Sequence, residues 1–405
     1  MDRSGFTILD GAMGTRLYKA GLRSGQCPEK WVLEHADVAA DIQRSYVNAG
    51  SQVIYTPTFG ANSSVLGTYG LAAQVEEYNL RLVEISKTAS CGKALIAGDI
   101  SSTGKMLSPM GPLSFEDMHS IYYEQAAALE KAGVDLFVIE TMTNIAEARA
   151  ALLAVKAVSN KKVYVSFTCN ETGRTMMGSD VCAALQIMQR MGADAFGLNC
   201  STGPGEMLKQ IRRFAEYATI PLIAKPNAGL PITLDGETVY NVNSEEFAEY
   251  VPLLVEAGAS LIGACCGSDE KYISAISEKL NGISPVFSVH ENQREIICGA
   301  TEKNIFTLDE DAACSVILDC NDDLEDALYD SEADEITGIR ITCKEDCEIF
   351  AEAQYASQGP VCIICDDRDL LEKALRAYQG TALYEGAVSA DVLVGYQKKY
   401  GLILR

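Results

Sequence analysis

Eight times within its first 280 residues the chain repeats one alternation. A short apolar run rich in β-branched residues ends in polar or glycine positions, and a longer stretch with apolar residues at helical spacing follows. The apolar runs predict strands at Phe6–Asp10, Gln52–Thr58, Ala94–Asp99, Asp135–Glu140, Lys162–Thr168, Asp194–Asn199, Ile220–Lys225 and Ala259–Ala264. The intervening stretches predict helices. One covers Phe115–Ala132, with Ser114 as its N-cap and Gly133 closing it; another covers Ser244–Ala257, with Ser244 as its N-cap and Gly258 closing it. Related phrases at Asn48–Gly50, Lys131–Asp135, Arg190–Asp194 and Glu256–Ser260 each place a glycine between a helix and the next strand. Eight strand–helix units in series predict an α/β fold, a parallel (β/α)8 TIM barrel over residues 1–283, with an open doubly wound sheet as the alternative.

After Ile283 the pattern changes. Residues 284–301 read as a linker. Residues 302–405 read as a smaller C-terminal α/β domain, with apolar runs at Ser315–Asp319, Gly338–Thr342, Val361–Cys365, Thr381–Tyr384 and Leu402–Leu404. Its predicted helices are Asp322–Tyr329, Lys344–Gln358, Asp367–Tyr378 and Ala390–Tyr400. Charge marks the same boundary. The 405-residue chain carries a formal −23, and Thr301–Arg405 alone holds 23 acidic against 9 basic residues. A strongly acidic surface repels phosphate backbones and anionic lipids, so neither nucleic acid nor membrane is expected as a partner. No apolar run reaches the roughly 18–20 residues that span a bilayer. The N-terminus has no signal-peptide layout, so a cytoplasmic location is expected.

Reactive groups of a parallel barrel sit at the C-terminal ends of its strands. Those ends carry Asp10-Gly11, Glu140, Asn199-Cys200, Lys225-Pro226-Asn227 and Cys265-Cys266-Gly267. Of the 14 cysteines, Cys200, Cys265 and Cys266 thus fall at one rim. Three thiolates with one open position suit catalytic rather than structural zinc; inert buried cysteines are the alternative reading. Neighbours in a regular strand face opposite ways. Cys265 and Cys266 can therefore converge only if the strand ends there and the chain turns, which Gly267 permits. The only histidines are His35, His119 and His290, and none occupies a strand end, so histidine-based catalysis is not expected.

The chain resembles the homocysteine S-methyltransferase family, and most closely the homocysteine-binding module of cobalamin-dependent methionine synthases. The resemblance rests on "ILDGAMGTRL" at Ile8–Leu17, "TPTFGAN" at Thr56–Asn62, "GDISSTGKML" at Gly98–Leu107, "GLNCSTGP" at Gly197–Pro204, "KPNAGLP" at Lys225–Pro231, "IGACCGS" at Ile262–Ser268 and the long segment Leu113–Met142. It implies Zn2+ on Cys200, Cys265 and Cys266, through which these residues act in catalysis. It also implies Asn227 beside the metal, Asp10, Gly11 and Glu140 at the amino-acid end of homocysteine, and Ser166 and Asn199 in the site wall.

The resemblance further implies a methyl donor, methylcobalamin. The corrinoid-binding pattern Asp-x-His-x-x-Gly is not completed, because Asp117-Met118-His119 is followed by Tyr122 where glycine is required. Methylcobalamin is therefore expected on a separate corrinoid protein or module. The alternatives are the same barrel using S-methylmethionine, another donor or another thiol, or a non-catalytic scaffold for a corrinoid protein. The tail resembles part of a pterin-binding barrel at Asp367–Gly386 and Lys398–Leu404. Cys343, Cys347, Cys362 and Cys365 are expected to be ordinary packing residues.

Overall fold

The computed structural model describes residues 5–404 apart from 235–236, 285–295 and 310. Eight parallel strands form one sheet: β1 (Thr7–Ile8), β2 (Val53–Tyr55), β3 (Leu95–Ile100), β4 (Leu136–Met142), β5 (Val163–Phe167), β6 (Ala195–Asn199), β7 (Leu222–Lys225) and, after a hairpin of β8 (Pro231–Leu234) and β9 (Glu237–Tyr240), β10 (Ala259–Ile262). The order β1-β10-β7-β6-β5-β4-β3-β2 brings β1 back beside β2. The seam there is joined largely by side chains, because β1 is only two residues long. The Gln52 N–H donates to the Ile8 carbonyl at 2.8 Å, and the Gln52 side chain accepts from the Ile8 N–H at 3.0 Å. The Asp10 carboxylate accepts from the Tyr55 N–H at 2.8 Å. This is the expected (β/α)8 barrel.

Two apolar layers hold it. Leu9, Val53, Tyr55, Ala97, Leu136, Val138, Tyr164, Ala195, Ile223 and Leu261 fill the inside. The residues alternating with them, such as Phe137, Ile139, Val165 and Phe196, pack outward against the helices. Because side chains of a strand alternate faces, continuing each inward series to the rim names the next inward residue. Ala97 leads to Asp99, Val138 to Glu140, Tyr164 to Ser166, Ala195 and Gly197 to Asn199, Ile223 to Lys225, and Leu261 and Gly263 to Cys265. The barrel is apolar below and ionisable at its upper mouth.

The helix Phe115–Ala132 forms as expected. The Ser114 side chain accepts from the Asp117 N–H, and Gly133 closes the helix in a left-handed conformation. Ser244–Ala257 is instead two helices, Ser244–Ala248 and Val251–Glu256, capped from Asn243 rather than Ser244. Pro252 is the reason: it has no N–H to donate, so it is tolerated only in the first turn of a new helix.

The last residues of the expected linker form a strand. β11 (Ile296–Ala300) pairs antiparallel with β12 (Ile305–Asp309). A parallel four-stranded sheet follows, β13 (Cys314–Asp319), β14 (Ile336–Arg340), β15 (Val361–Ile364) and β16 (Leu383–Glu385), in that order. Phe306 and Leu308 of the hairpin pack on Ile336, Cys362 and Leu383, while helices cover the opposite face through Ile339, Val361 and Ile363. The expected strand Leu402–Leu404 is reduced to a single bridge between Leu383 and Ile403. His290 lies outside the described residues.

The C-terminal unit is joined to the barrel by a buried guanidinium and a more exposed ion pair. The fully buried Arg149 guanidinium donates to the carbonyls of Leu375 (2.8 Å) and Arg376 (3.1 Å). Arg376 in turn forms a two-pronged pair with Glu116, both contacts 2.7 Å. Among the described residues no helix is long and apolar enough to cross a membrane.

Candidate metal and substrate site

The upper mouth of the barrel opens into a cavity of about 260 Å³. Its lining includes Asp10, Gly11, Glu29, Tyr55, Asp99, Glu140, Cys200, Lys225, Cys265 and Cys266. The three sulfurs of Cys200, Cys265 and Cys266 lie within 4.8 Å of one another, with Cys200 Sγ to Cys266 Sγ at 3.8 Å.

Local backbone geometry makes that convergence possible. Cys200 and Ser201 both have positive φ, 60° and 59°, a conformation that costs a non-glycine residue roughly 1–3 kcal/mol. Cys200 stays tied to the sheet by its N–H, which donates to the Lys225 carbonyl at 3.1 Å. Two strands along, beyond β7, the chain leaves β10 and turns at Gly267, φ 85°. The Cys265 N–H donates to the Pro226 carbonyl at 2.8 Å, and the Cys266 carbonyl accepts from the Ala228 N–H at 2.9 Å. The turn resolves the parity objection, since Cys266 has left the pleat. A Cβ at position 267 would fall 2.3 Å from the ring of Tyr240, so glycine is required there by space as well as by φ. Tyr240 comes from β9, in a hairpin the sequence pattern did not reveal.

A charged cluster sits beside Cys265, drawn from the strands on either side of β10. Lys225 Nζ donates to Asp10 at 2.7 Å with both side chains buried, and it lies 3.7 Å from the centroid of the Tyr55 ring. Burial raises the Asp10 carboxyl, and Lys225 partly offsets this. Burial also pushes Glu140 up to about 8, against the pull of Lys225. Asp99 is raised by burial and by the nearby Glu140 charge, and its Oδ1 is buried with no hydrogen-bond partner among the described residues. Four carboxylates, those of Asp10, Glu29, Asp99 and Glu140, thus line the cavity with one ammonium.

Among the thiols, Cys200 is lowered by its hydrogen-bonding contacts with Cys265 and Cys266. Those two are raised by the same contacts with Cys200.

The other expected residues fall into two groups. Gly11 lines the cavity, and a Cβ there would meet the Tyr46 ring at 2.7 Å, so its part is close backbone approach. Ser166 and Asn199 are buried behind the wall rather than in it. The Ser166 hydroxyl donates to Asn199 Oδ1 at 2.9 Å, and the Asn199 amide donates to Glu140 at 3.3 Å and to Thr141 Oγ1 at 2.7 Å. They hold Glu140 and the left-handed Thr141 (φ 58°) in place. Asn227 is buried, with its amide oxygen unpartnered, and it does not line the cavity. Asp99, Lys225 and Tyr55 were missed as site residues, although the inward parity of β2, β3 and β7 marks all three.

The homocysteine S-methyltransferase family model matches residues 7–280. The chain belongs to the homocysteine S-methyltransferase family. It is similar to the methionine synthases of Mycobacterium leprae (32% identical over 286 residues) and Mycobacterium tuberculosis (30% over 292 residues). Those alignments cover 66% and 68% of this chain but 24% of each relative, so the chain spans about a quarter of their length. Among solved structures, the homocysteine methyltransferase MmuM from Escherichia coli shares the fold. Its oxidized form gives a TM-score of 0.58 at 24% identity, covering 69% of this chain and 97% of that one. Its metallated form gives 0.57 at 23% identity over the same shares.

Proposed function

We propose that this chain transfers a methyl group to the thiol of homocysteine, giving methionine, with Zn2+ held by Cys200, Cys265 and Cys266. The observation that carries the reading is the pairing, in one cavity, of three convergent thiols with an excess of buried carboxylates. The donor set fits the ion: three sulfurs lie close enough to share it, and soft thiolates favour zinc over hard cations. When bound, zinc supplies a Lewis acid that keeps the homocysteine sulfur as thiolate at neutral pH.

The remaining chemistry belongs to the chain. Asp10 is anchored by Lys225 and the Tyr55 N–H. Glu140 is held by Asn199, and Asp99 has an oxygen to spare. These three carboxylates face the ammonium of the amino acid. Asn227, with its unpartnered amide oxygen, is assigned beside the metal. The sulfur of homocysteine forms the new bond to carbon, and the donor leaves with the electron pair of its old bond to methyl.

The donor is assigned as a methylcorrinoid protein supplied in trans, by analogy with the methionine synthases to which this chain is similar, and the setting as cytoplasmic. Residues 1–283 are assigned as the methyltransferase unit, and the acidic C-terminal α/β unit has no assigned chemical role. The deciding experiment incubates reduced, zinc-loaded protein with homocysteine and, in turn, a methylated corrinoid protein, free methylcobalamin and S-methylmethionine. Methionine formed with the corrinoid donor, and lost in Cys265→Ser, supports the reading. Turnover only with S-methylmethionine refutes the donor assignment. Turnover with none, in protein that holds zinc, refutes the activity.

A further inference from the structure

A second group of thiols and a carboxylate lies away from the barrel mouth, in the C-terminal sheet. Cys314 on β13, Cys362 on β15 and Glu385 on β16 bring two sulfurs and a carboxylate oxygen within 4.8 Å of one another. Cys314 Sγ is 3.9 Å from Glu385 Oε1. β14 runs between the two cysteine strands, and the residue it places there is Gly338, in register with Cys362. A Cβ on Gly338 would meet Ile364 Cδ1 at 2.9 Å and Cys314 Sγ at 3.4 Å. The bare backbone lets side chains from two strands meet across a third.

A disulfide does not fit this arrangement. Strands two places apart are separated by about 9.5 Å, and a disulfide needs its Cα atoms within about 7 Å. A bridging ion lengthens the link, since each zinc–sulfur bond is about 2.3 Å and the tetrahedral angle sets the sulfurs about 3.8 Å apart. The surroundings are graded from dry to wet. Cys362 is fully buried against Phe306, Leu308, Ile336 and Leu383, Cys314 is half-buried, and Glu385 is exposed. Cys365 takes no part, because it packs in the core on the other face of the sheet.

We propose that Cys314, Cys362 and Glu385 form a second metal site, independent of the barrel site. Two thiolates and one carboxylate, with a fourth position open to water, select a thiophilic divalent cation of the zinc class over magnesium or calcium. Binding converts two thiols to thiolates and releases their protons to solvent. The ion ties the edge strand β13, where Val316 and Ile317 are exposed, to β15 and β16.

The test uses the full-length reduced chain, loaded with Zn2+, desalted and measured for metal content. The wild type is expected to hold two equivalents. The barrel-site variant Cys200→Ser/Cys266→Ser is expected to hold one, and adding Cys314→Ser to it should leave none. Because a cysteine change can disturb packing, Glu385→Gln at the surface is the second variant, expected to weaken zinc retention at least tenfold in the same background. Co2+ in the barrel-site variant should give a sulfur-to-cobalt charge-transfer band that Cys314→Ser abolishes. A chelator should lower the melting temperature of the barrel-site variant but not that of the triple variant. The proposal is overturned if the folded barrel-site variant holds no metal, or if its one equivalent survives both Cys314→Ser and Glu385→Gln.

Discussion

Glu140 offers a direct check on how the cavity recognises an amino acid. In the free protein burial pushes its carboxyl up to about 8, so roughly 1% is ionised at pH 6 and about half at pH 8. A bound ammonium favours the ionised form, so ligand binding should expel a proton below pH 8. Affinity should therefore rise about 50-fold between pH 6 and pH 8. Homocysteine is a poor probe, because zinc would release its thiol proton over the same range. L-Methionine presents the same ammonium and no thiol proton.

Titration calorimetry in buffers of different ionisation heat, at pH 6, 7 and 8, counts the protons. Glu140→Gln should flatten the pH dependence. It should also weaken methionine binding at pH 8 by roughly 10–100-fold, the worth of a hydrogen bond to a charged group. The folding side has the opposite sense. A carboxyl raised in the folded state contributes stability fully present below the unfolded pKa near 4.5 and lost as pH rises through about 8. Glu140→Gln should therefore melt above the wild type at pH 9, with no such gain at pH 4. Methionine binding without proton release from pH 6 to 8, or an unchanged slope in Glu140→Gln, would refute the reasoning.

Three further perturbations follow from the geometry. Cys266→Ser removes one of the converging sulfurs and should cut zinc affinity and turnover by more than roughly 100-fold, measured by metal competition and methionine production. Gly267→Ala forces a Cβ into the Tyr240 ring at a left-handed φ; it should destabilise the chain by roughly 1–3 kcal/mol and weaken metal binding with all three cysteines still present. A chain with unchanged zinc affinity would show that the turn does not aim the thiols. Arg149→Met strands the Leu375 and Arg376 carbonyls at a helix end. It should cost roughly 2–4 kcal/mol in urea unfolding and speed proteolysis within the C-terminal sheet; no change would show that the buried guanidinium does not join the two parts.

Much of this protein was legible from local pattern. Apolar runs at strand length, alternating with amphipathic stretches and closed by glycines, determined eight strand–helix units, because strand and helix periods are written residue by residue. The rim cysteines were visible for the same reason: a strand end is a local feature. The break at Pro252 was also local, and its single missing N–H outweighed a continuous helical apolar pattern.

What only the tertiary structure decided depends on residues far apart in the chain. Lys225 meets Asp10 over the end of the intervening strand β10, and that contact decides which carboxylates have a partner and which remain available to a ligand. Ser166 and Asn199 sit behind the wall rather than in it, because their hydrogen bonds go to one another and to Glu140 and Thr141. The left-handed turn at Cys200 and the packing of Tyr240 on Gly267 aim the thiols, and neither has a signature in the apolar pattern. The meeting of Cys314, Cys362 and Glu385 depends on strand order and on one glycine in the strand between. Periodicity specifies which face a side chain takes; only closure of the sheet specifies what it faces.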